Sequence, residues 1–222
     1  MSRWFVFDVN ETLLDVTPLG TRLAGALPAG SGVAEWFARL LHRSLVADHL
    51  DDHQPFEQLG AEVMRTMASR GGHDLSHQEA QGVMDGMAYL PAHPDARPGL
   101  EALAGKGMRL AALTNSSSDL AERQLENSDL ADLFERIMSV DGVGRFKPAP
   151  EVYLHAAEVC GSPLEEITMV AAHDWDVAGA QAAGMTGCYL ARRPWGMSRP
   201  EPDRIVSSLT ELAPKLEAEW TR

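Results

Sequence analysis

Cysteine is scarce: Cys160 and Cys188 are the only two in 222 residues. Two such thiols build neither a disulfide framework nor a zinc site. They read as core or near-surface thiols of a cytoplasmic protein. Positive charge is also short. Nineteen Lys and Arg stand against 32 Asp and Glu, a net charge of −13. That balance argues against nucleic acid and anionic membrane as partners. A small anionic substrate held by a few local cations stays compatible with it. No window approaches the roughly 18 apolar residues of a membrane span. The opening Met1-Ser2-Arg3-Trp4-Phe5-Val6-Phe7-Asp8 has too short an apolar stretch for a leader and ends in an acid. It reads as a buried first strand. Hydrophobic residues nevertheless reach 45%, enough for a sizeable core.

The pattern then changes twice. After the strand at 3–7, apolar positions such as Trp36, Phe37, Leu40, Leu41 and Leu45 recur at helical spacing. Phe56, Leu59, Val63, Met64 and Met67 repeat it, and 83–90 is Met-rich. No strand is evident here, so residues 17–91 are expected to form an all-helical insertion. Three prolines between Pro91 and Gly99 mark a return linker. Beyond it helices are expected at 100–106, 119–126, 151–159, 177–183 and 209–220. Strands are expected at 108–113, 136–140, 167–172 and 186–191. Alternation of this kind implies an α/β fold, a parallel sheet covered on both faces. The expected core is 1–16 and 92–222.

Ligands of such sheets bind beyond the carboxyl ends of the strands, and polar clusters fall there. Asp8 follows the first strand, and Thr114-Asn115-Ser116 follows the second. Lys147 opens a Lys-Pro-Ala-Pro turn, and His173-Asp174-Trp175-Asp176 follows the fourth strand. Each cluster alone fits a helix cap or a turn. Together they converge on one crevice. There Asp8 has the chemistry of a nucleophile that forms a covalent ester. Lys147 would keep it ionised, and Asp176 could orient Lys147. Thr12, Thr114, Asn115 and Ser116 offer donors for the nucleophile or an anionic substrate group.

These motifs, in this order and spacing, resemble those of the haloacid dehalogenase superfamily of aspartate-nucleophile hydrolases. Asp8-Val9-Asn10-Glu11-Thr12-Leu13-Leu14-Asp15 is similar to its first motif, and Leu113-Thr114-Asn115 to its second. Lys147-Pro148 is similar to the third, and the stretch from Val170 to Asp176 to the fourth. The resemblance implies a Rossmann-like parallel-sheet core, with the insertion as a helical cap. Phosphatases of the superfamily carry a general acid where Asn10 stands, and a magnesium-binding acid where Ala171-Ala172 stands. An amide cannot serve as that acid, and a methyl group cannot ligate a hard cation.

The same features resemble the type II 2-haloacid dehalogenases, which need no metal or other cofactor. By this resemblance Asp8 is the nucleophile and Lys147, Asp176 and His173 complete the catalytic set. Asn10, Thr12, Thr114, Asn115, Tyr153 and Trp175 bind or orient the substrate. His173 stands where the family has an amide. Phe37 stands where it has an arginine that receives the halide, with Arg39 the nearest cation. The expected reaction is hydrolytic dehalogenation of a small 2-haloalkanoic acid by a cytoplasmic protein, a possible homodimer. The alternatives are a magnesium-dependent phosphatase with a degenerate metal site, or a non-catalytic binding member.

Overall fold

The computed structural model describes residues 3–24, 26–28, 30–193 and 200–220. The expected core segments also take in 1–2, 194–199 and 221–222, which lie outside the described residues. β1 (Trp4–Phe7) is buried throughout, as an apolar run of β-branched and aromatic residues requires in a central parallel strand. Four helices follow: α1 (Leu19–Ala24), α2 (Val33–His49), α3 (Phe56–Arg70) and α4 (His77–Met84). The remainder alternates. α5 (Ala96–Ala104) leads to β2 (Arg109–Thr114), and α6 (Ser118–Asn127) to β3 (Arg136–Ser139). α7 (Pro150–Cys160) leads to β4 (Ile167–Ala171), and α8 (Asp174–Ala183) to β5 (Thr186–Leu190). β6 (Arg204–Val206) and α9 (Leu212–Trp220) close the fold.

The six strands form one parallel sheet in the order β3-β2-β1-β4-β5-β6. The chain builds outward from β1 on one side, then crosses to β4 and builds outward on the other. The switch point therefore lies between β1 and β4, where such sheets open a ligand crevice. The parallel α/β expectation holds.

The helical insertion leaves and rejoins the sheet at one place. Leu14 bridges Ala92 in antiparallel fashion. The Asp15 N–H donates to Pro91 O at 2.8 Å, and the His93 N–H to Leu13 O at 2.8 Å. Within the insertion α2 buries Trp36, Phe37, Leu40, Ser44 and Ala47 on one stripe. Trp36 Nε1 donates to Gly60 O at 2.9 Å, tying α2 to α3. A Cβ at Gly60 would lie 2.8 Å from Met84 Cε and 3.1 Å from Trp36 Cζ2, so α2, α3 and α4 meet closely at this glycine.

Several boundaries differ from expectation. α5 begins at Ala96, inside the proline-rich stretch read as linker. Pro98 falls in its first turn, where its missing N–H costs nothing. α8 begins at Asp174 rather than 177, which places two acids in its first turn. β6 was not expected: three residues carry too little pattern to read.

Candidate active site

Asp8 directly follows β1 and is 5% exposed. Its N–H continues the ladder to Val170 O of β4 at 3.1 Å. Lys147 Nζ donates to Asp8 Oδ1 at 2.8 Å, to Asp176 Oδ2 at 2.7 Å and to Leu113 O at 2.9 Å. All three protons of the buried ammonium are thus engaged. Thr12 Oγ donates to Asp8 Oδ2 at 2.6 Å and accepts from the Ala172 N–H at 2.9 Å. The first loop is thereby locked onto the end of β4.

These contacts set the charges. Burial pushes the Asp8 carboxyl up, but Lys147, His173 and Thr12 outweigh it and hold it below its ordinary value. Burial pushes the Lys147 ammonium down, yet Asp176 and Asp8 hold it above its ordinary value. For Asp176 burial wins, and its carboxyl is pushed up despite Lys147. The buried Tyr153 donates to Asp176 Oδ1 at 2.7 Å. Its own ionisation is pushed well up, by burial and then by Asp176. An ionised carboxylate at a strand end, clamped through both oxygens, is a nucleophile held in one orientation.

α8 can come this close because of Gly179. A Cβ there would stand 2.5 Å from Pro148 Cβ and 2.9 Å from Tyr153 Oη. The Lys147 N–H donates to Asn115 Oδ1 at 2.9 Å, so Asn115 supports the lysine through its backbone. The Phe146 N–H donates to Asp48 Oδ2 of α2 at 2.8 Å. The lysine segment is therefore held from the sheet and from the insertion.

His173 precedes α8, with Nε2 at 3.3 Å from Asn10 O, 3.4 Å from Glu11 Oε2 and 3.8 Å from Asp8 Oδ2. Phe37 of α2 stacks on one side of the ring, centroids 5.5 Å apart, and Trp175 stacks on it at 5.1 Å. Beside it opens a cleft of about 240 Å³. Phe37, Ala38 and Leu41 form one wall, and Glu11, His173 and Arg193 form part of the other.

The structure thus gathers Asp8, Thr12, Lys147, Tyr153, His173 and Asp176, with Asn115 and Trp175 supporting them. Thr114 and Asn10 are placed differently. Thr114 Oγ accepts the Ser116 N–H at 3.1 Å. The Asn10 amide donates to Ser116 Oγ at 3.0 Å and accepts from Gln124 at 2.9 Å. Among the described residues neither hydrogen-bonds to Asp8. Asn10 holds the loop after β2 against the first loop, and Thr114 bridges within the loop after β2. His93 is half-buried, and burial pushes its pKa down.

Glu11 was not singled out from sequence. It is 9% exposed, adopts φ 63° and pairs with Arg193 through Oε1. Its Oε2 is buried with no hydrogen-bond partner. A left-handed backbone at a non-glycine residue is unusual, and no local sequence signal announces it. Glu57 of α3 was also missed. It accepts from the N–H and hydroxyl of Ser117, across the seam between insertion and sheet.

A parallel sheet with a lysine-clamped carboxylate at its switch point, under a helical insertion, defines an α/β enzyme scaffold of the aspartate-nucleophile kind. The chain belongs to the haloacid dehalogenase-like hydrolases, whose family profile matches residues 3–184. It is 30% identical to (S)-2-haloacid dehalogenase 4A of Burkholderia cepacia, over 98% of this chain and 96% of that one. It is 29% identical to haloacetate dehalogenase H-2 of Moraxella sp. strain B, over 84% of each. The fold matches that of L-2-haloacid dehalogenase from Xanthobacter autotrophicus with a TM-score of 0.90, at 24% identity, covering 98% and 99% of the two chains.

Proposed function

We propose that this protein is a hydrolytic dehalogenase of small 2-haloalkanoic acids that needs no metal and works through an ester on Asp8. The observation that carries the reading is the Asp8 carboxylate, ionised and fixed by Lys147 and Thr12 at 2.8 and 2.6 Å. The similarity to haloacid and haloacetate dehalogenases supports it. The donor set supports it too. The Asn10 side chain is spent on Ser116 and Gln124, and Ala171 and Ala172 offer only methyl groups.

In the first step an Asp8 oxygen bonds to the α-carbon. The carbon–halogen bond breaks and its electron pair leaves with the halide, so no proton is needed. In the second step water attacks Cγ of the ester and gives up a proton. Asp176, with its raised proton affinity, takes that proton. The Cγ–oxygen bond to the product then breaks, and the alkoxide recovers the proton as a 2-hydroxy acid. Lys147 balances both carboxylates throughout, Tyr153 orients Asp176, and Trp175 packs against His173.

We read residues 17–91 as a cap that closes on a core of 1–16 and 92–222. The paired crossing at Leu14 and Ala92 supports that division. The substrate is a small anion, with neither nucleic acid nor membrane as partner. No described helix is long and apolar enough to cross a membrane. Two buried thiols suit a cytoplasmic location, and a homodimer belongs to the same reading.

The test is halide release from fluoro-, chloro- and bromoacetate and both 2-chloropropionate enantiomers, with and without chelator. Release that survives chelator and vanishes in Asp8→Asn is expected. Phosphate release from an aryl phosphate that requires magnesium, with no halide released, would overturn the proposal.

A further inference from the structure

We infer that Gln124 of α6 is a positioning residue for substrate binding: its carboxamide sets the gap between the loop after β1 and the loop after β2. The inference rests on the dehalogenase reading for the reaction, but its binding step is testable without turnover. Gln124 is fully buried and lies on a helix of the sheet, outside the four motifs. Its Nε2 donates to Asn10 Oδ1 at 2.9 Å and to Met87 O at 3.1 Å. Both protons of the amide are thereby used. Its Oε1 is buried with no hydrogen-bond partner. Packing alone would favour an apolar side chain there, because an unpaired buried carbonyl is costly. What the amide provides is its two donors.

The first donor acts on the two loops. Asn10 lies in the loop after β1, and its own Nδ2 donates to Ser116 Oγ at 3.0 Å. With Gln124 on its oxygen and Ser116 on its nitrogen, the Asn10 carboxamide has one orientation and bridges the loops. Ser116 is held from the far side as well. Its carbonyl accepts from Ser139 Oγ at 2.6 Å, and its N–H donates to Thr114 Oγ at 3.1 Å. Asn115, its neighbour, accepts the Lys147 N–H on Oδ1 at 2.9 Å. The Asn115 Nδ2 and the N–H groups of Asn10 and Asn115 meet no acceptor among the described residues. These free donors sit on the two loops that Asn10 spans. A small carboxylate can use both sets only at one spacing of the loops.

The second donor acts on the insertion. Met87 belongs to Asp85–Tyr89, the segment by which the insertion returns to the sheet. The same amide therefore ties the loop spacing to the docking of that segment. Asn127, about one turn further along α6, also donates to it, at Ala88 O and 2.8 Å. Among the described residues Asn127 has no bond to Asn10, so it shares the structural half of the link alone.

The test compares Gln124→Met, which keeps length and bulk but removes both donors, with Asn127→Leu. Gln124→Met should raise KM for chloroacetate about three- to tenfold, the worth of one hydrogen bond. The halide burst at saturation should be unchanged, because Lys147 and Thr12 hold Asp8 without Gln124. Asn127→Leu should lower Tm by a similar amount and leave KM at the wild-type value. Gln124→Asn, too short to reach both acceptors, is the second loss variant. Adding Asn10→Gln to it restores the length of the amide bridge and should recover part of the KM. An unchanged KM in Gln124→Met and Gln124→Asn would overturn the inference. So would an equal rise in Asn127→Leu. Failure of the dehalogenase reading shows differently: wild type would release no halide. Calorimetric titration with propionate, an unreactive carboxylate, then decides the inference, which predicts weaker binding in Gln124→Met than in wild type and Asn127→Leu. Binding undetectable in wild type, or equal in all three, would overturn it.

Discussion

Lys147 and Asp8 are 139 residues apart in sequence, and Nζ stands 2.8 Å from Oδ1. The ammonium is shared with Asp176 at 2.7 Å, so one buried cation serves two buried carboxylates. Removing one partner of such a cluster leaves charge buried and unpaired, at a cost of about 3–5 kcal/mol. Lys147→Met should therefore lower stability by that order in chemical denaturation. It should also cut halide release by about two to four orders of magnitude. A folded variant with an unchanged rate would remove Lys147 from the chemistry.

The same pair fixes an alkaline dependence. Lys147 is held above its ordinary 10.5. Its folded pKa exceeds its unfolded one, so its contribution to stability is complete below the unfolded value. That contribution is lost as pH rises through the folded value. Asp8, held below 3.8, stays ionised throughout. The pre-steady-state halide burst should accordingly be constant from about pH 7 to 10. A fall centred within that window would show that the lysine is not clamped.

Gly179 allows α8 to pack where Asp176 meets both Lys147 and Tyr153. Gly179→Ala places a methyl group 2.5 Å from Pro148 Cβ. The resulting displacement should lower kcat about ten- to a hundredfold, with a modest fall in Tm. A kcat equal to wild type would show that the contact relaxes without moving Asp176.

Phe37 positions the His173 ring beside Asp8 by stacking on it. Phe37→Leu keeps an apolar side chain of similar bulk but loses the stack at 5.5 Å. KM for chloroacetate should rise about two- to tenfold, the worth of a ring–ring contact, with kcat little changed. An unchanged KM would mean that the ring is held by Trp175 alone.

The strand-end residues were legible because buried strands end visibly in this sequence. Asp8 after Trp4-Phe5-Val6-Phe7, and His173 after Met169-Val170-Ala171-Ala172, each interrupt an apolar run. The alternation of strands and helices places them on one edge of a parallel sheet. Glu11 was not legible, because its importance comes from a left-handed backbone and a buried oxygen. Neither leaves a periodic trace. Asn10 and Thr114 carry the right chemistry in the right motifs, yet the Asn10 side chain is spent on Ser116 and Gln124, which only the fold brings close, and Thr114 accepts from Ser116 within its own loop. Phe37 reads as helix core, and it is buried. Its contact with His173 depends on how the insertion docks, as do those of Glu57 with Ser117 and Asp48 with Phe146.

The central claim is that Asp8, not water, makes the first bond to substrate. A single turnover of chloroacetate in ¹⁸O-water, with enzyme in excess, tests it most directly, followed by mass analysis of the peptide carrying Asp8. The account predicts one ¹⁸O in the Asp8 carboxylate and none in the glycolate formed. Label in the glycolate, with an unlabelled Asp8, would contradict it.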